Sequence, residues 1–344
     1  MAPEFKVALT ADFLGPDGNP VLWKGKFAPL ENARGQFRQE FFKEHKPEIT
    51  PDQVGSANAL LVLAPRVTAA TLKHAERLAL VARWGVGFDN VDLKACTQAD
   101  VAVTITKGAV DHPVAESILT FMLAVSHNLF AKDRVVREGR WNDRNQFLGT
   151  EIREKTLGIV GFGGIGKKLV QLVSCFGMKQ ILVYDPLLNE NECAQGGAIK
   201  ASLETVMAQD FVSINCPLNE STRNLIGARE LALMTPTAVL INTARGGIVN
   251  EKALYEALHA RKIRAAALDV FEQEPADSNN PFLGLENVIL TPHAICWTEE
   301  CFRDIGSMAV DSILSVIAGK KPHGLLNPEV WDRPGFQAKL AAWK

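Results

Sequence analysis

Three ionisable residues each follow an apolar, strand-like run late in the chain: Arg245 in INTARGG, Glu274 in LDVFEQEP and His293 in LTPHAICWTEE. In an open α/β sheet, ligands bind beyond the carboxyl ends of the strands, so residues placed just after strands point toward one crevice. A guanidinium, a carboxylate and an imidazole gathered there suit hydride chemistry at a carbonyl that carries a neighbouring carboxylate. Arg245 can hold the carboxylate or carbonyl in a planar, charge-assisted fork. His293 can give a proton to the carbonyl oxygen as hydride arrives, or take one from a hydroxyl in the opposite direction. Glu274 can hydrogen-bond the other ring nitrogen, fix the tautomer and stabilise the ring when it carries charge. Taken singly, each has a plainer use: Arg245 can bridge loops, Glu274 before Pro275 can be a solvated turn carboxylate, and His293 after Pro292 can cap a strand. Trp297 can wall a pocket or fill a domain junction, and Asp269 can meet the amide of a bound cofactor or anchor a loop.

Hydride needs a carrier, and the stretch KTLGIVGFGGIGKKLVQLVSCFGMKQILVYDP, from Lys155 to Pro186, reads as a site for one. An apolar run from Leu157 to Val160 leads into Gly161-Phe162-Gly163-Gly164-Ile165-Gly166. A helical pattern follows to about Phe176, and a second apolar run, Gln180 to Tyr184, ends on Asp185. Strand, G-x-G-x-x-G, helix and an acidic residue about twenty positions on form the dinucleotide fingerprint. Gly161 allows the tight turn, Gly163 lets the backbone approach a pyrophosphate, and Gly166 lets helix pack on strand. The helix start then offers N–H groups and positive dipole to the phosphates. Asp185 would accept hydrogen bonds from the adenosine ribose and repel a 2′-phosphate, which favours NAD over NADP.

These residues need elements to hold them. Strand-like runs at Lys6 to Phe13, Ala59 to Leu63, Leu78 to Arg83 and Val101 to Ile105 alternate with helical or irregular segments, including a helical period from Thr68 to Ala75. Gly15, Pro16, Gly18, Pro20, Gly25 and Pro29 mark an irregular excursion before Phe37, Phe41 and Phe42. From Gly108 the pattern changes. Pro113 to Phe130 reads as one long helix with Val114, Ile118, Phe121, Met122, Val125 and Leu129 on its apolar face, and a polar, interrupted stretch from Arg134 to Thr150 includes Trp141. Further strands start or centre at Leu157, Ile181, Phe211 to Ile214, Ala238 to Asn242, Ala265 to Val270 and Val288 to Thr291. Glu299 to Ile317 is a last long helix, and the tail with Pro322, Pro328 and Pro334 has no strong period. Alternating strands and helices predict an α/β protein with two Rossmann-like, doubly wound parallel sheets. The cofactor domain, residues 108–298, is expected to be inserted into a discontinuous, flavodoxin-like substrate domain made of residues 1–107 and 299–344.

Composition narrows the class. A chain of 344 residues exceeds what one core usually supports. Apolar content of 47% and charged content of 22% suit a water-soluble fold. A net charge of −2 and a pI near 6.4 give no general attraction to nucleic acid or anionic membrane, and no stretch reaches the length of a membrane span. The six cysteines are dispersed without a C-x-x-C pair, which suggests reduced thiols and a cytoplasmic setting. No metal is expected.

The chain resembles the D-isomer-specific 2-hydroxyacid dehydrogenase family from about Ala59 to Pro328. The resemblance rests on ARWGVGFDNVD at Ala82 to Asp92, GIVGFGGIG at Gly158 to Gly166, NTARGG at Asn242 to Gly247, LDVFEQEP at Leu268 to Pro275 and TPHAICWT at Thr291 to Thr298. It implies that Arg245, Glu274 and His293 are the family's catalytic arginine, glutamate and histidine. It also implies that the N–H groups of Val86 and Gly87 bind the substrate carboxylate, with Trp297 beside it. By the same matching, Ile165 meets the pyrophosphate, Asp185 the ribose, and Cys216, Thr243, Ala244, Arg245 and Asp269 the nicotinamide side of NAD. A small 2-oxoacid or 2-hydroxyacid as substrate and a homodimer joined through the cofactor domain follow as expectations. The helix from Pro113 and the Trp141 stretch suit the dimer, although an intrachain core explains that helix equally well. Transcriptional corepressors that sense NAD, and formate or phosphite dehydrogenases, share the fold and stand as alternatives. Four departures are visible: Gly164 where many members carry a longer, often basic side chain, Asn215 in place of a frequent histidine, Ala64-Pro65-Arg66 in place of a clear phosphate-holding loop, and the long insert before Phe37.

Overall fold

The computed structural model describes residues 4–20 and 37–343, which divide into two units, Met1–Val110 with Trp297–Lys344 and Asp111–Cys296. Most of the predicted insert before Phe37 lies outside the described residues. Among those described, the first unit carries the strands β1 (Lys6–Leu9), β2 (Arg38–Phe41), β3 (Ala59–Val62), β4 (Leu80–Arg83) and β5 (Ala102–Thr104), all parallel, in the order β2-β1-β3-β4-β5. This is the order of flavodoxin-like sheets. All four residues of β3 are buried, as expected of a central parallel strand covered on both faces. Helix α1 (Leu93–Gln98) starts at Asp92, whose carboxylate accepts the Ala95 N–H at 2.9 Å.

Two predicted elements of this unit come out differently. The first strand ends at Leu9, and Ala11–Phe13 closes into a 3₁₀ turn that buries Phe13. Residues 68–75 form turns instead of a helix. The Thr71 hydroxyl donates to Ile49 O at 2.7 Å and accepts the Thr68 N–H at 3.0 Å, so side-chain bonds replace the helical ladder.

The second unit opens with α2 (Asp111–Ser126) and α3 (Leu129–Arg137), which bend by 57° where one continuous helix was predicted. Asn128 takes up a left-handed conformation at φ 51°, and the Arg264 guanidinium donates to Val125 O at 3.2 Å and Thr150 Oγ1 at 3.0 Å. The last carbonyls of α2 are thereby satisfied without a further turn. Among the described residues no single helix is long and apolar enough to cross a membrane. The sheet follows: β6 (Thr156–Val160), α4 (Gly164–Val173), β7 (Gln180–Tyr184), β8 (Ile199–Lys200), β9 (Phe211–Ile214), β10 (Val239–Asn242), α5 (Glu251–His259), β11 (Ala265–Leu268) and β12 (Val288–Leu290). The strands are parallel, in the order β12-β11-β10-β9-β6-β7-β8. β6 pairs with both β7 and β9, so the strand order reverses at β6, which is where such sheets open a crevice at their carboxyl ends. Val160, Val212, Ile214, Leu240, Ala266 and Leu268 form the centre of its core.

The chain returns to the first unit through α6 (Glu299–Ile317), capped by the Thr298 hydroxyl on the Cys301 N–H at 3.1 Å. The tail holds a helix that its sequence pattern did not predict, α7 (Pro334–Ala341). Buried Asn327 stitches the tail to β5, accepting the Val103 N–H and donating to Val101 O, both at 2.9 Å. The Lys339 ammonium donates to the carbonyls of Leu78, Ala99 and Asp100 at 2.8, 2.7 and 3.1 Å. Burial pushes its pKa down, only partly opposed by Asp100, Glu76 and Cys96. All six cysteines are free thiols.

Candidate active site

β6 delivers the glycine loop at the point where strand order reverses. Gly161 has φ +92°, and a Cβ there would lie 2.6 Å from Cys216 N and 2.8 Å from Asn215 C, so the turn admits only glycine. Gly163 caps α4, and a Cβ there would meet nothing within 4 Å, which leaves open space beside the helix start. Gly166 sits on the strand side, where a Cβ would come within 2.9 Å of Gly161 O and 3.1 Å of the Phe162 ring. Leu169, Val170 and Val173 bury the inner face of α4. At the end of β7, Asp185 accepts the Phe162 N–H and the Leu187 N–H, each at 2.9 Å. Its carboxylate therefore braces the glycine loop from the end of the neighbouring strand.

The unit fits a dinucleotide on a further count. Asn215 Nδ2 after β9 and Thr243 Oγ1 after β10 are buried polar atoms with no hydrogen-bond partner. Buried donors of this kind are normally satisfied, and a ligand's polar groups would do so. Cys216 is half-buried, and burial pushes its thiol up to about 11, so it lines the crevice as an un-ionised side chain.

β10, β11 and β12 are neighbours and parallel, so the loops that follow them leave from one edge. After β10, buried Asn242 shapes the turn: its Oδ1 accepts the Ala244 N–H at 3.1 Å and its Nδ2 donates to Arg245 O at 2.9 Å. Arg245 Nη1 donates to Ala244 O at 2.7 Å. Gly246 lies flat on the backbone of Phe271 and Glu272, where any Cβ would collide. The arginine loop thus rests directly on the loop that carries Glu274. That second loop is tied to the start of α5 by reciprocal bonds, Glu251 N–H to Glu272 Oε1 at 3.0 Å and Glu272 N–H to Glu251 Oε1 at 2.6 Å.

Glu274 accepts the Phe271 N–H on Oε1 at 3.0 Å and faces His293 Nδ1 with Oε2 at 2.7 Å. Burial alone would raise its pKa. The hydrogen bond and charge of His293, the Phe271 N–H and the Arg245 guanidinium outweigh that and hold the carboxyl below its usual range. An ionised Glu274 makes Nδ1–H the donor and leaves Nε2 as the exchangeable nitrogen. His293 itself has φ +54°, an uncommon conformation for a non-glycine residue, held by its N–H on Asp269 O at 2.8 Å. Buried Asp269 completes the anchor through Oδ1, which accepts from the Thr291 hydroxyl at 2.6 Å, Ala294 N–H at 3.0 Å and Ile295 N–H at 3.2 Å. Of the two uses weighed for Asp269, loop anchoring is visible in the structure.

Arg245, Glu274, His293, Asp185, Cys216, Thr243, Ala244, Asp269 and the glycine loop all belong to the second unit. Val86 and Gly87 belong to the first, partly exposed at the carboxyl end of β4. Trp297 also belongs to the first and is half-exposed, edge-on to Phe302 at 5.3 Å. Arg66 pairs with Glu48 at 3.1 Å. Asn242 was not singled out from sequence, although an asparagine opening a loop that must turn sharply is a recognisable signal.

Fold and site together define an NAD-binding oxidoreductase of the double-Rossmann kind. Residues 119–294 match the model of the NAD binding domain of D-isomer specific 2-hydroxyacid dehydrogenases. The chain is 36% identical over 318 residues to the glyoxylate reductase of Korarchaeum cryptofilum, covering 90% of this chain and 96% of the relative. It is 38% identical over 322 residues to the D-3-phosphoglycerate dehydrogenase of Methanocaldococcus jannaschii, covering 93% of this chain but only 59% of that relative. The crystal structure of D-lactate dehydrogenase from Aquifex aeolicus with NAD and lactic acid superposes with a TM-score of 0.80 at 25% identity, over 91% of this chain and 96% of that one. The chain belongs to the D-isomer specific 2-hydroxyacid dehydrogenase family, whose members are NAD-dependent oxidoreductases acting on a CH–OH donor.

Proposed function

We propose that this chain reversibly reduces a small, unphosphorylated 2-oxoacid to the D-2-hydroxyacid with NADH. The observation that carries the reading is the 2.7 Å pair of Glu274 and His293 on neighbouring loops of the dinucleotide unit. Bound NADH supplies the hydride. Arg245 fixes the substrate carboxylate and polarises the carbonyl, with the N–H groups of Val86 and Gly87 as further carboxylate donors and Trp297 as an apolar wall. His293 Nε2–H gives its proton to the carbonyl oxygen, and Glu274 holds the ring through Nδ1–H and balances its charge. In oxidation the neutral Nε2 takes the hydroxyl proton. Ile165, Asp185, Cys216, Thr243, Ala244 and Asp269 serve the cofactor. The near-complete coverage of a glyoxylate reductase supports a small substrate, as does the Arg66–Glu48 pair, which occupies a cation that could otherwise serve a substrate phosphate.

We further propose that the protein is a homodimer. Leu129, Phe130, Val136, Trp141 and Leu148 are all more than half exposed within one segment of the second unit. An apolar surface of that kind marks an interaction face. Six free thiols support a reducing, cytoplasmic setting. The decisive assay follows NADH absorbance with glyoxylate, pyruvate, hydroxypyruvate and a phosphorylated 2-oxoacid in turn. Turnover is expected with at least one of the first three, and no oxidation with any of the four rejects the activity.

A further inference from the structure

The two N–H groups that open the Glu274 loop are each held by a carboxylate. Glu274 itself takes the Phe271 N–H at 3.0 Å, and the next N–H, that of Glu272, goes to Glu251 Oε1 at 2.6 Å. Glu251 is the first residue of α5, so its own N–H has no partner within the helix, and Glu272 Oε1 accepts it at 3.0 Å. The Asn250 side chain takes the Ala253 N–H at 2.9 Å, which caps α5 and fixes the backbone from which Glu251 reaches out.

The start of α5 is also the end of the segment that carries Arg245. That segment is tied to Ile226, which donates its N–H to Ile248 O at 3.1 Å and accepts the Asn250 N–H at 2.9 Å. It meets the Glu274 loop twice: Gly246 lies against the Phe271–Glu272 peptide, and Glu251 takes the Glu272 N–H. One contact would let the two loops rock about each other, whereas two separated contacts hold them. The surroundings of Glu251 do not favour a charge. Burial pushes its carboxyl above the usual range, the Glu272 N–H opposes this, and the charges of Glu272 and Glu274 add to it. What the place asks of Glu251 is an acceptor oxygen at the end of a side chain of that length.

We propose that Glu251 is a positioning residue, which holds the Arg245 loop and the Glu274 loop in one register by accepting the Glu272 N–H, and so aligns a substrate gripped by Arg245 with the proton carried by His293. The inference rests on the roles proposed above for Arg245, Glu274 and His293, and extends them to a residue that acts through the backbone of a neighbouring loop. The register has an electrostatic consequence, since the Arg245 guanidinium helps to hold the Glu274 carboxyl below its usual range. A displacement of about 1 Å between reacting groups is enough to cost ~10²-fold in rate, so such a contact bears on turnover.

The test compares wild type with three variants. Glu251→Gln keeps the acceptor and the length, Glu251→Ala removes both, and Glu251→Asp keeps the charge but draws it back by one methylene at a helix start that tolerates an acid. Kinetics are run with NADH and whichever of glyoxylate, pyruvate and hydroxypyruvate the wild-type chain turns over fastest, beside NADH titration by fluorescence and thermal melts. Glu251→Ala and Glu251→Asp are expected to lower kcat about 10- to 100-fold with NADH affinity within about twofold of wild type, and Glu251→Gln to stay within about threefold in kcat. Glu272→Ala, which deletes only the return bond to the Glu251 N–H, should lower the thermal midpoint and leave kcat within about threefold, so that loss of stability is told apart from loss of position. Wild-type kcat in Glu251→Asp, or a loss in Glu251→Gln equal to that in Glu251→Asp, overturns the proposal, as does a loss in Glu272→Ala of the same size. A wild-type chain that oxidises NADH with none of the three acids would instead overturn the proposed function, and this inference with it.

Discussion

Glu274 Oε2 lies 2.7 Å from His293 Nδ1, and the backbone that presents His293 is held at φ +54° by an N–H bond to Asp269 O. The pair fixes which ring nitrogen is available for chemistry. His293→Ala should lower kcat by about 10²–10⁴-fold with NADH affinity largely kept, measured by steady-state kinetics beside fluorescence titration. Retention of wild-type turnover would take His293 out of the mechanism.

The same pair has a signature in stability. The Glu274 carboxyl is held below its usual range in the folded chain, so its stabilising contribution is complete above the unfolded value of about 4.3 and is lost as pH falls through the lower folded value. Thermal melts of wild type and Glu274→Gln should therefore differ most near neutral pH and converge as the solution is made acidic enough to protonate Glu274 in the folded chain. A constant gap across that range would contradict the direction of the shift.

The two ends of the glycine loop should respond differently to a methyl group. Gly161→Ala forces a side chain into the left-handed region and against the backbone of Asn215 and Cys216, which should cost more than about 1 kcal/mol of stability. Gly163→Ala has room and an ordinary φ, so it should fold normally and lose NADH affinity alone. Chemical denaturation with cofactor titration separates the two outcomes.

Asp269 collects three donors from the loop that carries His293. Asp269→Ala should lower kcat about 10- to 100-fold through misplacement of the imidazole, and Asp269→Asn, which keeps an acceptor oxygen, should recover part of it. Equal losses in both variants would point to a direct role of the negative charge.

In the first unit, Lys339 holds three backbone carbonyls together. Lys339→Met leaves them without that donor and should cost about 2–3 kcal/mol, read as a fall in the thermal midpoint. On the second unit, the paired substitutions Trp141→Glu and Leu148→Asp should convert a dimer to a monomer in light scattering. A wild-type chain that is already monomeric would remove the dimer from the reading.

Repetition along the chain made most of the fold legible. Phe211–Ile214, Val239–Asn242 and Ala265–Leu268 are short apolar runs because central parallel strands are buried on both faces, and Glu299–Ile317 shows its period over its whole length. Local pattern failed where a distant partner made the decision. Arg264 ends α2 at Ser126, the Thr71 hydroxyl replaces a helix, and α7 is a helix whose period is too weak to see.

By itself the sequence determined the glycine loop, the alternation of most strands and helices along the chain and the types of residue available for chemistry, because these depend on neighbours within a few positions or on backbone geometry that only glycine allows. Only the tertiary structure decided that Glu274 meets His293 through Nδ1, that Asp269 anchors the histidine loop, and that Asp111 occupies the space beside Gly164. Each of those contacts joins segments separated in the chain. Parallel strands and packed helices bring such segments together, and no local periodicity encodes which atoms then face one another.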